Sequence, residues 1–466
     1  MLETFRFVEI LNLIDQWMWG GALLALIVGV GLWLSLQLRW MQLRYLPYAL
    51  KLAFTRQDNE AEGDISQFQA LMTALAATIG IGSIAGVATA IVSGGFGAIF
   101  WMWVIALIGM ATKYAEAILA VKYREVDKQG HMCGGPMYYI AKGLGWKGLA
   151  GLFACFGALS AFAGGNMTQA NSIAAAMQEL VGLPPVWTGI SLMIITAIVL
   201  LGGIRSIGRL SSWLVPIMAL LYACGGLIII TLCWREVPHC IAVIFKSAFT
   251  GQAAVGGFLG ASVMSAVQLG VARGISSNEA GLGSAPIAAA AAKTDVPGRQ
   301  ALISMSGVFL SSFIICTITA LTVAVTGVLG STSADGSLLN GAPLVMHAFA
   351  LIPGGDIIVA IGLILFGYTT IVGWAYYGEK CIEYLGGDKM IRLYRIGFCL
   401  VVWVGAVMSF DIVWPLVDIM NGLMAIPNLI GVLALSGVVF SESKKFFALV
   451  DQEQIAAKSS YPPTPS

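Results

Sequence analysis

The sequence predicts an all-α polytopic membrane protein with eleven transmembrane helices, in which one extra N-terminal helix precedes two five-helix repeats. Of the 466 residues, 58% are hydrophobic and only 11% are charged, and the mean hydropathy is +0.86. A soluble chain of this length normally has about twice that charged fraction. Most of the surface therefore has to face lipid. The net charge of +1 gives no indication of nucleic-acid binding.

Eleven apolar segments are long enough to cross a bilayer, which takes about 20 residues of helix. The first follows neither a basic region nor a small-residue cleavage site, so we interpret it as a retained helix and not as a signal peptide. Two further apolar stretches, 238–250 and 340–353, are too short to cross and are expected at the outer interface or as re-entrant segments. The spanning segments lie at 16–38, 67–92, 95–121, 148–178, 186–204, 210–234, 252–275, 299–328, 355–378, 392–410 and 412–440.

The basic residues favour one orientation of these segments. If the loop at 39–66 is cytoplasmic, alternation places 20 of the 25 Lys and Arg residues on the cytoplasmic side. Basic residues concentrate in the cytoplasmic loops of membrane proteins. The sequence therefore predicts a multi-pass protein of the plasma membrane (the inner membrane in a bacterium), with the N-terminus outside and the C-terminus in the cytoplasm.

Two of the eleven segments are interrupted by glycine and polar residues, at 76–86 and at 262–283. Five spans separate their starts, so the two segments enter the membrane from opposite sides. The pair Gly82 and Gly86 alone would more often indicate helix packing, but matching interruptions in both halves favour a binding site of inverted-repeat type. The predicted parts are the extra helix and loop at 1–66, the repeats at 67–234 and 235–441, and a disordered cytoplasmic tail at 442–466.

A break in a membrane helix leaves backbone N–H and C=O groups free, and these cannot face hydrocarbon. The N–H groups near Gly82 begin a half-helix and suit a carboxylate, whereas the carbonyls between Ala76 and Ile79 end one and suit an ammonium group or a bare cation. A zwitterion satisfies both kinds of group. Because no charged side chain is then needed in the pocket, a small neutral amino acid fits better than a charged one.

Polar and aromatic residues of other segments extend the predicted site. Gln169 can reach the substrate or bond between helices, and isolated aromatic residues such as Phe162 and Trp374 can wall the pocket or simply pack. The hydroxyls of Thr369 and Thr370 can bind Na⁺ or bond to their own helix. The substrate-binding residues predicted are Thr78, Gly80, Gly82, Ser83, Phe162, Gln169, Gln268 and Trp374, and the cation-binding residues are Ala76, Ile79, Thr369 and Thr370.

Charged residues near the inner ends of segments have a separate interpretation. Arg273, Asn278 and Glu279 are candidates for a cytoplasmic gate, with a helix cap or loop anchor as an equal alternative. Lys113 and Glu116 are expected to extend their charged ends towards the cytoplasmic interface.

The eight cysteines and three histidines are dispersed, and no two cysteines form a CxxC pair. This pattern favours neither a disulfide framework nor a metal site apart from Na⁺. No nucleophile and base set is evident, so we expect neither an enzyme nor a cofactor. A channel would show rings of charged or carbonyl groups, and a sensor would carry a sizeable soluble domain, and the sequence shows neither feature.

Four motifs resemble the alanine or glycine:cation symporter family, that is, the sodium:alanine symporters. The most specific match is Gly94–Trp103, and the others are Ile84–Ala88, Gly134–Tyr139 and Ser277–Ser284. The resemblance runs from about residue 15 to 440. It implies a LeuT-type fold of two inverted five-helix repeats and uptake of alanine or glycine driven by Na⁺ or sometimes H⁺. It also implies that Thr369 and Thr370 bind the coupling ion. The alternatives are a proton-coupled permease or exchanger of another zwitterion and a non-transporting amino-acid sensor.

The chain departs from the family pattern at two places. Ser83 stands where the family has Asn, and Ser311 and Ser312 stand where it has an Asp-Thr pair. In the LeuT-type arrangement these positions border a second cation site. Without the amide and the carboxylate, the oxygen cage that a hard cation needs is weaker. We therefore hypothesise that this second site is absent or altered.

Overall fold

The structure is a computed structural model that describes residues 9–459 apart from 12, 15–16, 56–60, 251–259, 295, 334–335 and 409. Within these residues the protein is mostly helical, and seven helices are long and apolar enough to cross a membrane. Each coincides with a predicted segment. They are Gly97–Lys122, Lys147–Val181, Gly203–Leu232, Pro297–Thr326, Gly355–Gly386, Asp388–Val407 and Pro415–Ala434.

The elements of the first half, as far as Thr250, include two short strands that form a hairpin. The strands pair antiparallel, Glu125 with Cys133 and Val126 with Met132. The elements are α1 (Gly21–Gln37), α2 (Met41–Arg44), α3 (Leu46–Phe54), α4 (Gln67–Thr78), α5 (Ala85–Gly94), α6 (Gly97–Lys122), β1 (Glu125–Val126), β2 (Met132–Cys133), α7 (Pro136–Leu144), α8 (Lys147–Phe162), α9 (Thr168–Val181), α10 (Pro185–Leu201), α11 (Gly203–Leu232) and α12 (Val237–Thr250).

The second half begins, within the described residues, at 260. Its helices are α13 (Val263–Asn278), α14 (Ala285–Ala290), α15 (Pro297–Val308), α16 (Thr317–Thr326), α17 (Ala342–Phe349), α18 (Gly355–Gly386), α19 (Asp388–Val407), α20 (Phe410–Ala434) and α21 (Ser436–Ser459).

The other four predicted spans correspond to shorter helices. Segment 16–38 contains α1, segment 67–92 contains the separate helices α4 and α5, and segment 186–204 contains most of α10. In segment 252–275 the helix α13 begins only at Val263, and 251–259 lie outside the described residues. The count of eleven spans and the inverted repeat therefore stay predictions.

The first interruption is a true break between α4 and α5. Ser66 and Gln69 form a reciprocal capping box that starts α4, and the helix ends at Thr78. Gly80 is extended, with φ −104° and ψ −159°, and a single 3₁₀ turn leads to α5. A Cβ atom on Gly80 would lie 2.6 Å from the Thr370 hydroxyl oxygen, so only glycine fits here. The predicted interruption is confirmed, and glycine at this position allows close packing against α18.

The second interruption follows α13, which ends at Asn278. Glu279 takes the left-handed conformation, with φ 55° and ψ 19°, in which a residue other than glycine is uncommon. Gly281 and Gly283 also have positive φ before α14 begins. The break is at the C-terminal end of the predicted polar stretch and not in its middle.

Two membrane helices contain π-helical turns beside these breaks. Ala163–Met167 joins α8 to α9, and Phe309–Cys316 joins α15 to α16. Such turns are rare and frequently lie at functional sites, because they redirect the side chains that follow. Here the first turn precedes Gln169, and the second contains Ser311 and Ser312.

The tail at 442–466 is not disordered where the structure describes it, because α21 continues to Ser459. Phe446 and Val450 are buried, and Phe447 stacks on Tyr45 with a ring-centroid distance of 4.3 Å. Glu442 accepts a hydrogen bond from Lys122 at 2.8 Å. The prediction of disorder is therefore wrong up to Ser459, since a few apolar residues at helical spacing anchor a segment that is polar on average. Residues 460–466 lie outside the described residues.

Candidate functional site

A pocket with about 470 Å³ of empty space lies where the two breaks meet. It is enclosed by α4, the first break, the π turn before α9, the end of α13, α18 and α20. The lining residues are Ala77, Thr78, Gly80, Gly82, Gly164, Thr168, Gln169, Ser276, Glu279, Leu282, Thr370, Trp374, Val417 and Asn421.

The first break is held by two polar side chains from other helices. Gln169 accepts a hydrogen bond from the Ile81 backbone N–H at 3.4 Å and donates one to the Gly164 carbonyl at 3.1 Å. The Thr370 hydroxyl lies 2.9 Å from the carbonyl oxygen of Ala76, in the last turn of α4. Backbone groups freed by the break are thus partly satisfied by α9 and α18.

Helix ends of both signs converge on the pocket. The carboxyl-terminal ends of α4 and α13 meet there, so their unpaired carbonyls give a partial negative charge. An added Cβ atom on Gly82 would lie 3.6 Å from the carbonyl oxygen of Ser276, the third-last residue of α13. The amino-terminal end of α5 begins two residues after Ser83 and gives a partial positive charge.

A carboxylate also lines this pocket. Glu279 is 2% exposed, and its Oε2 accepts a hydrogen bond from the Ser284 hydroxyl at 2.8 Å. Its side chain also interacts with the Thr78 hydroxyl and the Trp374 indole. The expectation of a pocket without charged side chains is therefore wrong, because the left-handed turn at Glu279 directs the carboxylate inward.

Lys113 and Glu116 on α6 bond to the backbone of the second break. They do not extend towards the interface. Lys113 is 3% exposed and donates to the Asn278 carbonyl at 3.0 Å. Glu116 is fully buried and accepts from the backbone N–H groups of Gly281 at 3.1 Å and Gly283 at 3.2 Å. The expected extension to the interface is wrong, because the unwound chain after α13 needs both a buried donor and a buried acceptor.

Of the eight predicted substrate-binding residues, the structure gathers five around the pocket, namely Thr78, Gly80, Gly82, Gln169 and Trp374. The other three lie elsewhere. Gln268 is exposed on α13, and Phe162 packs against the rings of Tyr394 and Phe398. The Ser83 carbonyl accepts from Thr319 at 3.0 Å behind the pocket. Helix rotation explains all three, since each residue lies on a face that turns away from the cavity.

The predicted cation ligands likewise differ in whether they face the break. The Thr370 hydroxyl faces the end of α4, near the Ala76 carbonyl, and Ile79 is the first residue to leave helical geometry, with ψ 72°. Thr369, however, donates to the Phe366 carbonyl at 3.1 Å and faces the sulfur of Met218 at 3.6 Å. The Thr370 hydroxyl also lies 2.9 Å from the Phe366 carbonyl oxygen, so both hydroxyls bond to their own helix, and they differ in the second partner. In this structure only Thr370 faces the end of α4, and the paired cation site stays a prediction.

The gate candidates Arg273 and Glu279 have different hydrogen-bond partners, Asp418 and Ser284. Arg273 forms a two-pronged ion pair with Asp418 of α20, with N···O distances of 2.6 and 3.3 Å. Arg273 borders a second cavity together with Ala85 and Thr89 of α5. This is the side opposite the 39–66 loop, because α4 leads from that loop to the break and α5 leads away from it. If the 39–66 loop is cytoplasmic, as the sequence predicts, Arg273 lies towards the outer side, so its assignment to a cytoplasmic gate stays an untested prediction.

Asn278, the third gate candidate, is fixed inside the protein. Its side-chain amide donates to the Ser312 hydroxyl at 3.2 Å, and its Oδ1 accepts from the Ala280 N–H at 2.9 Å. Ser311 instead bonds within its own helix, to the Val308 carbonyl at 3.3 Å. The two side-chain contacts of Asn278 are thus with a hydroxyl and with a backbone amide, and neither of them is with a carboxylate.

The sequence interpretation missed Asp418 and Asn421 on α20 and the anchoring role of Lys113 and Glu116. The sequence does contain a signal that could have identified three of these residues. Asp418, Lys113 and Glu116 are ionisable residues within apolar segments, and such residues are costly in a membrane unless they are paired or functional.

Membrane-spanning helices with two breaks that meet at one pocket are typical of a polytopic membrane transporter. A family model described as the sodium:alanine symporter family matches residues 4–459. The chain belongs to the sodium:alanine symporter family.

Similar proteins agree with this membership. The chain is 55% identical over 446 residues to the sodium/alanine symporter AgcS of Methanococcus maripaludis, covering 94% of this chain and 97% of that protein. It is 36% identical over 439 residues to the "Probable sodium/glutamine symporter GlnT" of Bacillus subtilis, covering 94% and 90%. The crystal structure of a manganese transporter from Eremococcus coleocola shares the fold, with a TM-score of 0.52 and 14% identity over 80% of this chain and 78% of that chain.

Proposed function

We propose that this protein imports a small neutral amino acid of the alanine class together with Na⁺ by alternating access. One observation carries the proposal, namely that the pocket joins helix ends of opposite sign at two adjacent breaks. The names of AgcS and GlnT support sodium coupling in related chains. The alternatives are a proton-coupled permease or exchanger of another zwitterion and a non-transporting sensor.

In this proposal the substrate carboxylate lies near Gly82, at the amino-terminal side of α5, where a helix end favours negative charge. The substrate ammonium group faces Glu279 and the carboxyl-terminal ends of α4 and α13. Its side chain points towards Trp374 and Val417, an aromatic and an aliphatic residue of the pocket wall.

The architecture proposed is eleven spans in a LeuT-type arrangement of two inverted repeats, with the N-terminus outside and the C-terminus in the cytoplasm. The basic-residue asymmetry and the two breaks support it. In this orientation the Arg273–Asp418 ion pair lies on the outer side of the substrate. Arg273 borders the second cavity, on the side of α5. We therefore place an outer gate at this ion pair.

Proteoliposomes with imposed gradients test this function directly. An inward Na⁺ gradient at equal pH is expected to drive accumulation of labelled alanine, and an inward proton gradient without Na⁺ is not. Accumulation driven by the pH gradient alone would instead favour the proton-coupled alternative. Alanine binding without uptake under either gradient would favour the sensor.

The departures at Ser83 and Ser311 predict one coupling ion per substrate. Initial alanine uptake should depend on Na⁺ concentration with a Hill coefficient near 1, because the second oxygen cage lacks its carboxylate. Parallel measurements of ²²Na⁺ and alanine flux give the ratio independently. A steep dependence with more than one Na⁺ per alanine would refute the hypothesis.

The separation of Thr369 from Thr370 predicts different results for two neighbouring substitutions. Thr370→Val should raise the Na⁺ concentration for half-maximal uptake roughly tenfold, since one lost oxygen ligand costs about 1–1.5 kcal/mol. Thr369→Val, the matched control, should change it less than about twofold, because that hydroxyl faces Met218. Equal effects of the two substitutions would exclude a specific ion-binding role for Thr370.

A further inference from the structure

A group of metal-ligating side chains lies away from the substrate pocket, between the β1–β2 hairpin and the end of α18. The hairpin cluster consists of Asp127, His131 and Cys133 from the hairpin and Lys380 and Glu383 from α18. Cys133 is 2% exposed, and the Lys380 and Glu383 side chains are 6% and 5% exposed. The His131 side chain is 39% exposed and lies at the entrance. The hairpin residues and the α18 residues are more than 240 positions apart in the chain, so the sequence gave no sign that they form one site.

Three ligand atoms lie close enough together to hold one metal ion, and His131 lies beside Asp127 at the edge of this group. Cys133 Sγ lies 3.2 Å from Glu383 Oε1 and 3.7 Å from Asp127 Oδ2, and His131 Nδ1 lies 3.8 Å from Asp127 Oδ2. Ligand atoms around a tetrahedral zinc ion are about 3.4–3.6 Å apart, from bond lengths of about 2.0–2.3 Å. The three atoms of Asp127, Cys133 and Glu383 all lie within 4.8 Å of one another. Thiolate, carboxylate and imidazole are the ligand types that zinc prefers.

In the structure the Lys380 ammonium group occupies the centre of these ligands. Its Nζ lies 2.8 Å from Glu383 Oε2, 3.1 Å from Cys133 Sγ and 3.4 Å from Asp127 Oδ2. The same side chain borders a cavity with about 1630 Å³ of empty space, together with Asp127 and His131. Lys380 therefore has space into which it can move if another cation takes its position.

We propose that the hairpin cluster is a binding site for a thiophilic divalent cation of the zinc type, held by Asp127, His131, Cys133 and Glu383 after Lys380 withdraws. The bound ion joins the hairpin to α18 in place of the lysine. Because the metal binds the thiolate, the Cys133 thiol proton leaves to water as the metal binds. Binding does not depend on the transport function proposed above, whereas any effect on uptake rests on it.

Cobalt binding to the purified protein in detergent tests the site without a transport measurement. Co²⁺ should produce a thiolate-to-cobalt absorption band in the near ultraviolet, and added Zn²⁺ should abolish it. Cys133→Ser should lose the band, whereas Cys155→Ser, at an exposed cysteine, should keep it. A band that survives in Cys133→Ser, or no band in the unsubstituted protein, would overturn the proposal.

Lys380→Met distinguishes a metal site from an ion-pair network that is only structural. Because the ammonium group competes with the metal, this variant should bind Zn²⁺ at least tenfold more tightly in competition with Co²⁺. Glu383→Gln, which removes one ligand charge, should bind it at least tenfold more weakly and gives a second measurement if Lys380→Met does not fold. Unchanged or weaker zinc binding by folded Lys380→Met would overturn the proposal, as would unchanged binding by Glu383→Gln.

Discussion

Replacing Glu279 with Gln should nearly abolish alanine uptake at low substrate concentration and raise the concentration for half-maximal uptake about 10- to 150-fold. The substitution keeps the size and the acceptor oxygen but removes the charge that faces the substrate ammonium group. A hydrogen bond to a charged group contributes about 1.5–3 kcal/mol, which corresponds to this range. Equilibrium binding of labelled alanine and initial uptake rates in proteoliposomes both measure the loss.

The matched control is Glu236→Gln, at an exposed residue between α11 and α12. It should retain alanine affinity within about twofold, because exposed charges contribute little. The melting temperature of Glu279→Gln in detergent shows whether the fold is retained, since Ser284 can still donate to the amide oxygen. Normal alanine affinity in a folded Glu279→Gln protein would exclude the proposed contact with the ammonium group.

Lys113→Met should strongly destabilise the protein. Lys113 is the buried cation near Glu279 and Glu116, and it donates to the Asn278 carbonyl. Methionine fills much of the same volume but leaves two buried carboxylates without a cation. Leaving a buried charge without its compensating charge costs about 3–5 kcal/mol. The melting temperature of the purified protein in detergent, compared with the unsubstituted chain, measures the change.

A second substitution should restore part of this loss. Glu116→Gln keeps an oxygen that can accept from Gly281 and Gly283 but removes one negative charge, so Lys113→Met with Glu116→Gln should melt above Lys113→Met alone. Such coupling between neighbouring substitutions is what a double-mutant cycle detects. Lys389→Met, at an exposed lysine, controls for loss of any positive charge. Additive effects of the two substitutions would contradict charge compensation within this cluster.

The two breaks were predictable because their causes are local. Gly80 and Gly82 lie within an otherwise apolar segment, and Asn278 to Gly283 combines polar residues with glycines. Both patterns oppose a continuous helix in lipid whatever the rest of the fold does. The C-terminal tail is the opposite case, because its order could not be predicted locally. Its buried apolar residues, such as Phe446 and Val450, are too few to raise the local hydropathy. Their burial depends on a partner surface formed by distant segments.

The face that each helix turns towards the pocket was less predictable from the sequence than the breaks were. Thr369 and Thr370 are adjacent and chemically identical, yet one faces Met218 and the other faces the end of α4. Gln268 matched the polar pattern of its segment but is exposed. Which face of a membrane helix points inward depends on packing with its neighbours, and a single segment does not contain that information.

By itself the sequence determined the membrane class, the interrupted segments and the family, because composition, hydropathy and motifs are properties of consecutive residues. Only the tertiary structure decided that Arg273 pairs with Asp418, that Glu279 enters the pocket and that Lys380 lies among Asp127, Cys133 and Glu383. These contacts join residues up to about 250 positions apart. They depend on how helices pack and turn, since a buried charge needs a partner wherever the fold provides one.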